Sequence, residues 1–380
     1  MKRMIPYSTQ TISPRDIKAV VQVLKSPLIT QGPRIEQFEK RLAAYVGTRF
    51  AVAFSSGTAA LHGAYFAASL KAGDELITSP LTFAATANAA LYCGGKPLFA
   101  DIDENTGNID PQNVLKKITA QTKIIVGVDY AGVPAPLHEL KKIAQKHKLI
   151  FIEDAAHALG ATYNEKKIGS IADMTMFSFH PVKTITTGEG GAITTNNNTF
   201  YERLRLFRNH GITKDTKLLA KKSQPAWYYE MQSIGVNYRM TDIHAALGFS
   251  QMQRINSFIR QRTKRASLYT QALASLQSLI LPTVPAKITS AWHLYVVRLA
   301  KKYADRRDEI FKHLHNAGIG VQVHYIPVYL HPYYTSLGYQ PGLCPNAEQF
   351  FKRAISLPLY PTLTAKNQMY IINVLKKLLV

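Results

Sequence analysis

Residues 178–191 have the sequence SFHPVKTITTGEGG, which holds a single lysine, Lys183, in a predicted tight turn ahead of a glycine pair. Upstream, the apolar run Leu149-Ile150-Phe151-Ile152 leads into Glu153-Asp154-Ala155-Ala156-His157. This pattern predicts a buried strand with a carboxylate at its end. Most lysines are solvated and most strand-end aspartates only cap a turn, so each residue alone indicates little.

Together, the lysine and the carboxylate suit the chemistry of pyridoxal phosphate (PLP). Lys183 can react with the cofactor aldehyde and later move a proton, provided that its pKa is lowered. Asp154 can keep the pyridine nitrogen protonated, so that the ring withdraws electrons. We therefore interpret the two residues as the centre of a PLP site, with Lys183 as the catalytic residue.

The composition indicates a soluble globular protein. Its 380 residues, 46% of them hydrophobic, suffice for one large domain and one smaller one. No apolar run approaches the ~18–20 residues of a membrane span, and no apolar segment follows the basic start to make a signal peptide. Cys93 and Cys344 are too far apart in the sequence to suggest a disulfide framework or a metal site. We expect a cytoplasmic protein with neither a metal nor a membrane partner.

The formal net charge of +22 is the unusual bulk property of the chain. Such a charge is typical of nucleic-acid-binding proteins, which neutralise phosphates. Here, however, the basic residues are scattered, and Lys141, Lys142, Lys146 and Lys148 fall on one predicted solvated helix face. We favour a general attraction for anionic metabolites. A basic regulatory or nucleic-acid-binding protein is the weaker alternative.

A turn of small residues predicts an anion site. The strand-like Phe50-Ala51-Val52-Ala53-Phe54 runs into Ser55-Ser56-Gly57-Thr58, and an alanine-rich helix follows. Free N–H groups and the positive end of a helix dipole attract phosphate, and glycine permits a close approach. A well-packed helix cap explains the same residues. The G-x-G-x-x-G pattern of dinucleotide-binding folds is absent.

Strand and helix patterns alternate through the first half of the chain, which predicts an α/β fold with a mostly parallel sheet covered by helices. We predict a large domain over residues 1–250, N-terminal segment included, and a small α+β domain over residues 251–380. A long helix from about Ser250 to Leu276 is expected between them. Further strands are predicted at residues 294–298 and 321–324. Catalytic groups are expected where the parallel strands end.

Three separated motifs occur in order: EDAAHALGA at residues 153–161, SFHPVKTITTGEGG at 178–191 and NYRMTDIHAALG at 237–248. With these motifs, nearly the whole chain resembles the DegT-type sugar-nucleotide aminotransferases, a branch of the fold-type I PLP enzymes. The resemblance implies a fold-type I PLP-dependent transferase. It also implies PLP that cycles through pyridoxamine phosphate, and a homodimer with shared active sites.

The resemblance assigns the cofactor contacts. Lys183 and Asp154 keep the roles given above, Phe83 is expected to stack on the pyridine ring, and His157 to contact the ring hydroxyl. The residues expected to hold the phosphate are Ser56, Gly57, Thr58, Ser178 and, from the neighbouring subunit, Asn237. Taken alone, Phe83 suits the core better than a ring contact, and His157 also suits a polar position at the sheet edge.

The resemblance also places the substrate. In the family, the stretch that matches residues 28–30 lines the substrate site, and the aromatic stretch over residues 320–334 suits a nucleotide sugar. The substrate-binding residues that we predict are Tyr7, Leu28, Ile29, Thr30, Arg239, Gln322, Val323, His324 and Tyr325. Taken alone, residues 28–30 equally suit a connector, and the aromatic stretch also suits a packed loop. For Arg239, the sequence alone favours a surface ion pair.

The form VHY-x-P-x-Y at residues 323–329 resembles the sub-branch that aminates UDP-linked 4-keto-6-deoxy-N-acetylhexosamines. This implies transfer of the amino group of L-glutamate to C4 of the UDP-4-keto sugar. The product would be UDP-4-amino-4,6-dideoxy-N-acetyl-β-L-altrosamine, on the route to pseudaminic acid and glycosylated flagellin. The nearest alternative is another nucleotide-sugar aminotransferase, of the perosamine or 4-amino-arabinose type. Dehydrating relatives replace the lysine by histidine, so Lys183 argues against dehydration.

Overall fold

Strands and helices alternate along the chain and assemble into a large sheet with helices on both faces. The structure is a computed structural model that describes residues 4–379. Among these residues, no helix is long and apolar enough to cross a membrane. In the same part of the chain, no three His, Cys, Asp or Glu side chains are grouped to hold a metal ion.

The α-helices, numbered along the chain, are α1 (Pro14–Leu24), α2 (Pro33–Val46), α3 (Gly57–Ala67), α4 (Ala85–Tyr92), α5 (Pro111–Lys117), α6 (Leu137–Lys146), α7 (Asn198–Phe207), α8 (Asp242–Met252), α9 (Ile255–Leu273), α10 (Arg307–Asn316), α11 (Pro332–Ser336), α12 (Pro345–Arg353) and α13 (Ala365–Leu379). Short 3-10 helices lie at Tyr130–Gly132, Lys301–Arg306 and Val328–Leu330. The strands are β1 (Phe50–Phe54), β2 (Glu75–Thr78), β3 (Lys96–Phe99), β4 (Thr122–Val128), β5 (Ile150–Asp154), β6 (Thr162–Tyr163), β7 (Lys166–Lys167), β8 (Met174–Ser178), β9 (Gly191–Thr195), β10 (Ile212–Thr213), β11 (Glu230–Met231), β12 (Leu279–Ile280), β13 (Ile288–Thr289), β14 (Tyr295–Leu299) and β15 (Ala354–Leu357).

The large sheet has the strand order β1-β9-β8-β5-β4-β2-β3. The five strands from β8 to β3 run parallel, and β9 is antiparallel to both β8 and β1. The prediction of a mostly parallel sheet is therefore confirmed. Because β4, β5 and β8 are parallel neighbours, their carboxyl ends meet at one edge of the sheet, which is where such folds place their ligands.

Apolar cores cover both faces of this sheet. Residues from α2, α6, α8 and α9 form one core, and residues from α3, α4 and α7 form the other. A third core surrounds the small sheet β12-β14-β15 and includes α9, α10 and α13 together with Ile5. The division into residues 1–250 and 251–380 stays a prediction. Ile5 packs in the third core, and Ile255 and Phe258 pack under the large sheet.

Aspartate carboxylates fix the starts of α1 and α2. Ser13 and Asp16 form a reciprocal capping box at α1. At α2, the Asp242 carboxylate of α8 accepts the N–H groups of Gly32 and Arg34 at 2.7 and 2.8 Å. A Cβ at Gly32 would lie 2.8 Å from an Asp242 oxygen, so only glycine allows this approach. The loop before α2 is thereby fixed to α8.

Two sequence predictions are wrong. The helix predicted from Ser250 to Leu276 is interrupted at Gln253 and Arg254, because Arg254 leaves helical geometry while its guanidinium binds the Asp16 carboxylate of α1. The strand predicted at residues 321–324 does not form. One bridge, Gln322 with Ser356, joins this segment to β15, because the chain then turns towards the end of the large sheet.

Candidate active site

A cavity of about 620 Å³ opens where β4, β5 and β8 end, beside the first turns of α3 and α4. It is the place that the parallel topology predicts for a ligand. The structure brings together here eleven of the residues that the sequence predicted, namely Tyr7, Ser56, Gly57, Thr58, Phe83, Asp154, His157, Ser178, Lys183, His324 and Tyr325.

Asp154 is buried at the end of β5, and both of its carboxylate oxygens accept hydrogen bonds. Thr86 Oγ1 on α4 donates to Oδ2 at 2.7 Å, and the Ala156 N–H donates to Oδ1 at 3.1 Å. Burial raises the pKa of Asp154, whereas these hydrogen bonds and the nearby Lys183 lower it. The hydrogen bonds hold the carboxylate in one orientation and favour its charged form.

Lys183 lies in the turn between β8 and β9. Its N–H donates to His180 O at 2.9 Å, and the turn closes through Gly188, whose φ of 84° suits glycine. Burial lowers the pKa of Lys183 to about 8, Asp154 opposes this shift, and Arg262 adds to it. A substantial fraction of the amine is therefore neutral near physiological pH, as attack on an aldehyde and proton transfer require.

The end of the lysine turn packs against the start of α3. Ser56 caps α3 by accepting the Ala59 N–H at 3.1 Å, while the N–H groups of Gly57 and Thr58 lie in the first turn, where a helix supplies no acceptor. A Cβ at Gly191 would lie 2.5 Å from Ser56 O. The glycine pair is thus required for this approach, which brings Ser178 beside the helix N-terminus.

His157 lies deeper in the cavity beside two other aromatic side chains. Its Nε2 is 3.1 Å from the Tyr325 hydroxyl, and its ring centroid lies 4.3 Å from that of His293. Burial lowers the pKa of His157 well below its ordinary value, and the nearby side chains of Lys183 and His324 act in the same direction. Within residues 4–379, the buried Nδ1 of this neutral imidazole has no hydrogen-bond partner.

Aromatic side chains form the outer wall of the cavity. Phe83 is 63% exposed, and its ring lies edge-on to Tyr325 at 6.4 Å. His324 stacks obliquely on Tyr7 at 5.8 Å and hydrogen-bonds Ser356 Oγ through Nδ1 at 2.8 Å. Burial lowers the pKa of His324 to about 4. The wall therefore consists of neutral rings, one of which presents an open face.

Two further buried carboxyl groups, Asp129 and Glu153, lie next to Asp154 in the sheet. Burial raises the pKa of both, that of Glu153 to about 7, and each group interacts with the other. Asp129 Oδ2 and Glu153 Oε1 have no partner among the described residues when both groups are ionised. One shared proton satisfies both oxygens and limits the negative charge near Asp154.

Seven predicted site residues do not line this cavity. Gln322 bridges Ser356, and Val323 follows it. The other five lie together around α8. Thr30 pairs with Thr241, Asn237 pairs with Asn209, and Arg239 donates to Asn209 Oδ1 at 2.7 Å. Leu28 and Ile29 are about half exposed. The binding roles of all seven stay predictions.

Two residues of the site were missed in the sequence. Thr86 lies in the first turn of α4, three positions after Phe83, and this closeness in the sequence to a predicted site residue was the available signal. His293 lines the cavity with a buried Nδ1 that has no partner among residues 4–379. It comes from the segment before β14, far along the chain, and no motif marks it.

The side chains around the cavity fit PLP. A buried carboxylate is available for the pyridine nitrogen, a lysine amine for the aldehyde, and an exposed aromatic ring for the ring face. The N–H groups of Gly57 and Thr58 in the first α3 turn, with the Ser178 hydroxyl, match a phosphate. His157 adds its buried Nδ1, a polar atom without a hydrogen-bond partner among residues 4–379.

Comparison with known sequences identifies the family of this chain. Residues 10–376 match the DegT/DnrJ/EryC1/StrS aminotransferase family. The spore coat polysaccharide biosynthesis protein SpsC of Bacillus subtilis is 42% identical, over 95% of this chain and 93% of that protein. The UDP-4-amino-4,6-dideoxy-N-acetyl-beta-L-altrosamine transaminase of Campylobacter jejuni is 37% identical, over 99% of this chain and 98% of that protein.

Solved structures agree over the full length. Helicobacter pylori PseC, an aminotransferase involved in the biosynthesis of pseudoaminic acid, superimposes with a TM-score of 0.94 at 36% identity and covers 99% of both chains. A Streptococcus pneumoniae protein solved in its PLP-form superimposes with a TM-score of 0.92 at 31% identity, covering 99% of this chain and 100% of that one. The chain belongs to the DegT/DnrJ/EryC1/StrS aminotransferase family.

Proposed function

We propose that the chain is a PLP-dependent aminotransferase that transfers the amino group of L-glutamate to C4 of a UDP-4-keto-6-deoxy-N-acetylhexosamine. The product is UDP-4-amino-4,6-dideoxy-N-acetyl-β-L-altrosamine, the compound in the name of the Campylobacter relative. The observation that carries the proposal is the meeting of Lys183, Asp154 and the α3 N-terminus in one cavity. Together they supply the three contacts that PLP needs.

Each part of the cofactor has a residue to hold it. Asp154, oriented by Thr86, pairs with the pyridine nitrogen, and Phe83 covers one ring face. The α3 N-terminus and Ser178 hold the phosphate. His157 serves the ring hydroxyl, and because its pKa is low it does so as a neutral imidazole. Bound PLP supplies an electron-withdrawing ring, which stabilises negative charge at the carbon beside the amine.

Lys183 moves the protons. With PLP bound, its neutral Nζ would take the proton from Cα of glutamate, whose amino group would be kept at the site while hydrolysis releases 2-oxoglutarate. In the second half of the reaction, Nζ returns a proton to C4 of the sugar. A pKa of about 8 lets one amine act as base and then as acid near neutral pH.

The outer wall supports a sugar nucleotide as the amino acceptor. Tyr7 from the N-terminal segment and His324 with Tyr325 from the C-terminal half close over the same side of the cavity. Neutral aromatic faces suit stacking with sugar and base rings. The net charge of +22 favours a substrate that carries a diphosphate.

The test compares kcat/KM for UDP-, GDP- and dTDP-linked 4-keto-6-deoxy sugars, with glutamate as donor. We expect the UDP-linked N-acetyl sugar to be preferred. A preference for a GDP-linked sugar would overturn the substrate assignment and leave the aminotransferase assignment standing. His324→Ala should raise KM for the sugar nucleotide more than KM for glutamate, and an equal rise in both would contradict the wall assignment.

A second substrate is supported by the Bacillus relative. SpsC is named for spore coat polysaccharide biosynthesis, and its 42% identity exceeds the 37% of the Campylobacter transaminase. Another nucleotide-sugar aminotransferase, including the perosamine and 4-amino-arabinose types, is therefore the alternative. The same substrate panel separates the two, because only the first requires the N-acetyl sugar.

The assembly that we propose is a homodimer in which each subunit completes the other's site. Asn237, Arg239 and residues 28–30 lie outside the Lys183 cavity of their own chain and adjoin one another around α8. Leu28 and Ile29 are exposed there. In the segment between α7 and α8, Trp227, Met231 and Ile234 are more than 70% exposed. A partner subunit would cover these side chains and receive the Asn237 contact to its cofactor phosphate. We place this enzyme in the cytoplasm, where its product is an intermediate on the route to pseudaminic acid for flagellin and surface glycans.

A further inference from the structure

Arg262 on α9 is a buried arginine beside the lysine turn. It is 1% exposed, and within residues 4–379 its two Nη atoms donate to backbone carbonyls while its Nε has no partner. Nη1 donates to Leu359 O at 2.9 Å and to Trp292 O and His293 O at 3.2 Å each. Nη2 donates to Val182 O at 3.4 Å. One side chain thereby joins three distant segments of the chain.

Each of these segments has a place in the site or beside it. Val182 precedes Lys183 and lines the cavity, as does His293. Leu359 follows β15 and belongs to the core of the small sheet. Behind the lysine turn, Arg262 and Lys183 line a second, small cavity together. The guanidinium therefore fastens the back of the lysine turn to the core of the C-terminal half.

The charge of Arg262 has no carboxylate partner. No ion pair joins it to an acidic group within residues 4–379. Burial lowers the pKa of Arg262 to about 10, so it remains cationic at neutral pH. The other titratable groups that line the cavity with Lys183 are Tyr7, Asp154, His157, His180, Glu189, His293, His324 and Tyr325. Two charged groups act on the pKa of Lys183 in opposite directions: Asp154 raises it, and Arg262 lowers it.

We infer that Arg262 is a positioning residue for Lys183, because its guanidinium fixes the lysine turn and its positive charge disfavours a second charge on the lysine amine. This role rests on the proposed function of Lys183 as the residue that binds PLP. It gives a role to a fully buried cation that no carboxylate within residues 4–379 neutralises. A hydrophobic side chain of similar length would fill the space without the cost of desolvating a charge.

The test measures how fast PLP attaches to Lys183 in cofactor-free protein as a function of pH. Attachment requires the neutral amine, so the rate rises with pH around the pKa of Lys183, and borohydride trapping with mass spectrometry identifies the modified lysine. Arg262→Gln keeps two donors and removes the charge, whereas Arg262→Lys keeps the charge and removes the planar fork. Arg260→Met, on the exposed side of the same helix, is the matched control.

The rate of PLP attachment plotted against pH has a midpoint at the pKa of Lys183. We expect Arg262→Gln to move this midpoint upward by roughly one pH unit, which is the size of effect that one charge has at a buried site. Arg262→Lys should move it by less than half as much, and the control should leave it in place. A folded Arg262→Gln protein with the native midpoint, or equal shifts for both variants, would overturn the inference. If Arg262→Gln does not fold, Arg262→Lys tests the positioning role by itself. Because Arg262→Lys loses the planar fork, PLP should attach to Lys183 at least ~5-fold more slowly than in the native protein. A native rate of attachment in Arg262→Lys would refute the positioning role. PLP found on another lysine would instead refute the proposed role of Lys183.

Discussion

Replacing Lys183 by methionine should stabilise the cofactor-free protein. In the native chain Lys183 is half-buried, and desolvation lowers its pKa from 10.5 to about 8. That difference corresponds to roughly 3 kcal/mol, which the folded state loses whenever the amine is protonated. Methionine has a similar length and carries no charge, so Lys183→Met removes this loss along with the activity.

The gain should depend on pH in a defined direction. Below pH 8 the amine is protonated in both folded and unfolded protein, so the full difference between variant and native protein applies. Between pH 8 and 10.5 the unfolded state binds more protons, and the native protein becomes more stable as pH rises. The advantage of Lys183→Met over the native protein should therefore shrink through this window and vanish near its upper end.

Thermal unfolding of cofactor-free protein, at one fixed concentration, measures the effect. An unfolding entropy of ~2.1 cal/mol/K per residue gives ~0.8 kcal/mol/K for this length, so ~3 kcal/mol should raise Tm by about 4 °C at pH 7. Lys142→Met, on the exposed face of α6, is the control and should show no such pH-dependent gain. A Lys183→Met protein that is less stable than native, or whose advantage is the same at pH 7 and pH 10, would refute the account.

Three other changes test the remaining parts of the site. Asp154→Asn should leave the fold intact but lower kcat by several powers of ten, because an amide cannot hold the pyridinium proton; a kcat within tenfold of native would contradict this role. Thr86→Val should leave an Asp154 oxygen unpaired, which destabilises the protein by about 1–3 kcal/mol and weakens PLP binding. Unfolding and PLP titrations that match those of the native protein would rule out this contribution. Mixing inactive Lys183→Ala and Asn237→Ala subunits should restore part of the activity, because a mixed dimer holds one intact site. If the subunits are shown to exchange and no activity returns, the shared site is excluded.

Much of the active-site centre could be predicted from the sequence, because its chemistry is local. Asp154 ends an apolar run, Ser56 and Gly57 follow another, and Lys183 stands in a glycine-bounded turn. Parallel pairing brings the strand ends to one edge, so the motifs had to meet. The predictions failed where side chains decide the backbone. Arg254 breaks the predicted helix by binding Asp16, an interaction that nothing in the local pattern indicates.

The sequence by itself determined the family, the α/β alternation and the identity of the reacting groups, because periodicity and motif spacing are properties of neighbouring residues. Only the tertiary structure decided which groups surround them. The packing of α4 aims Thr86 at Asp154, the burial of the lysine turn lowers the pKa of Lys183, and α9 places Arg262 behind that turn. These effects depend on distance and desolvation between residues far apart in the chain, and no local pattern encodes them.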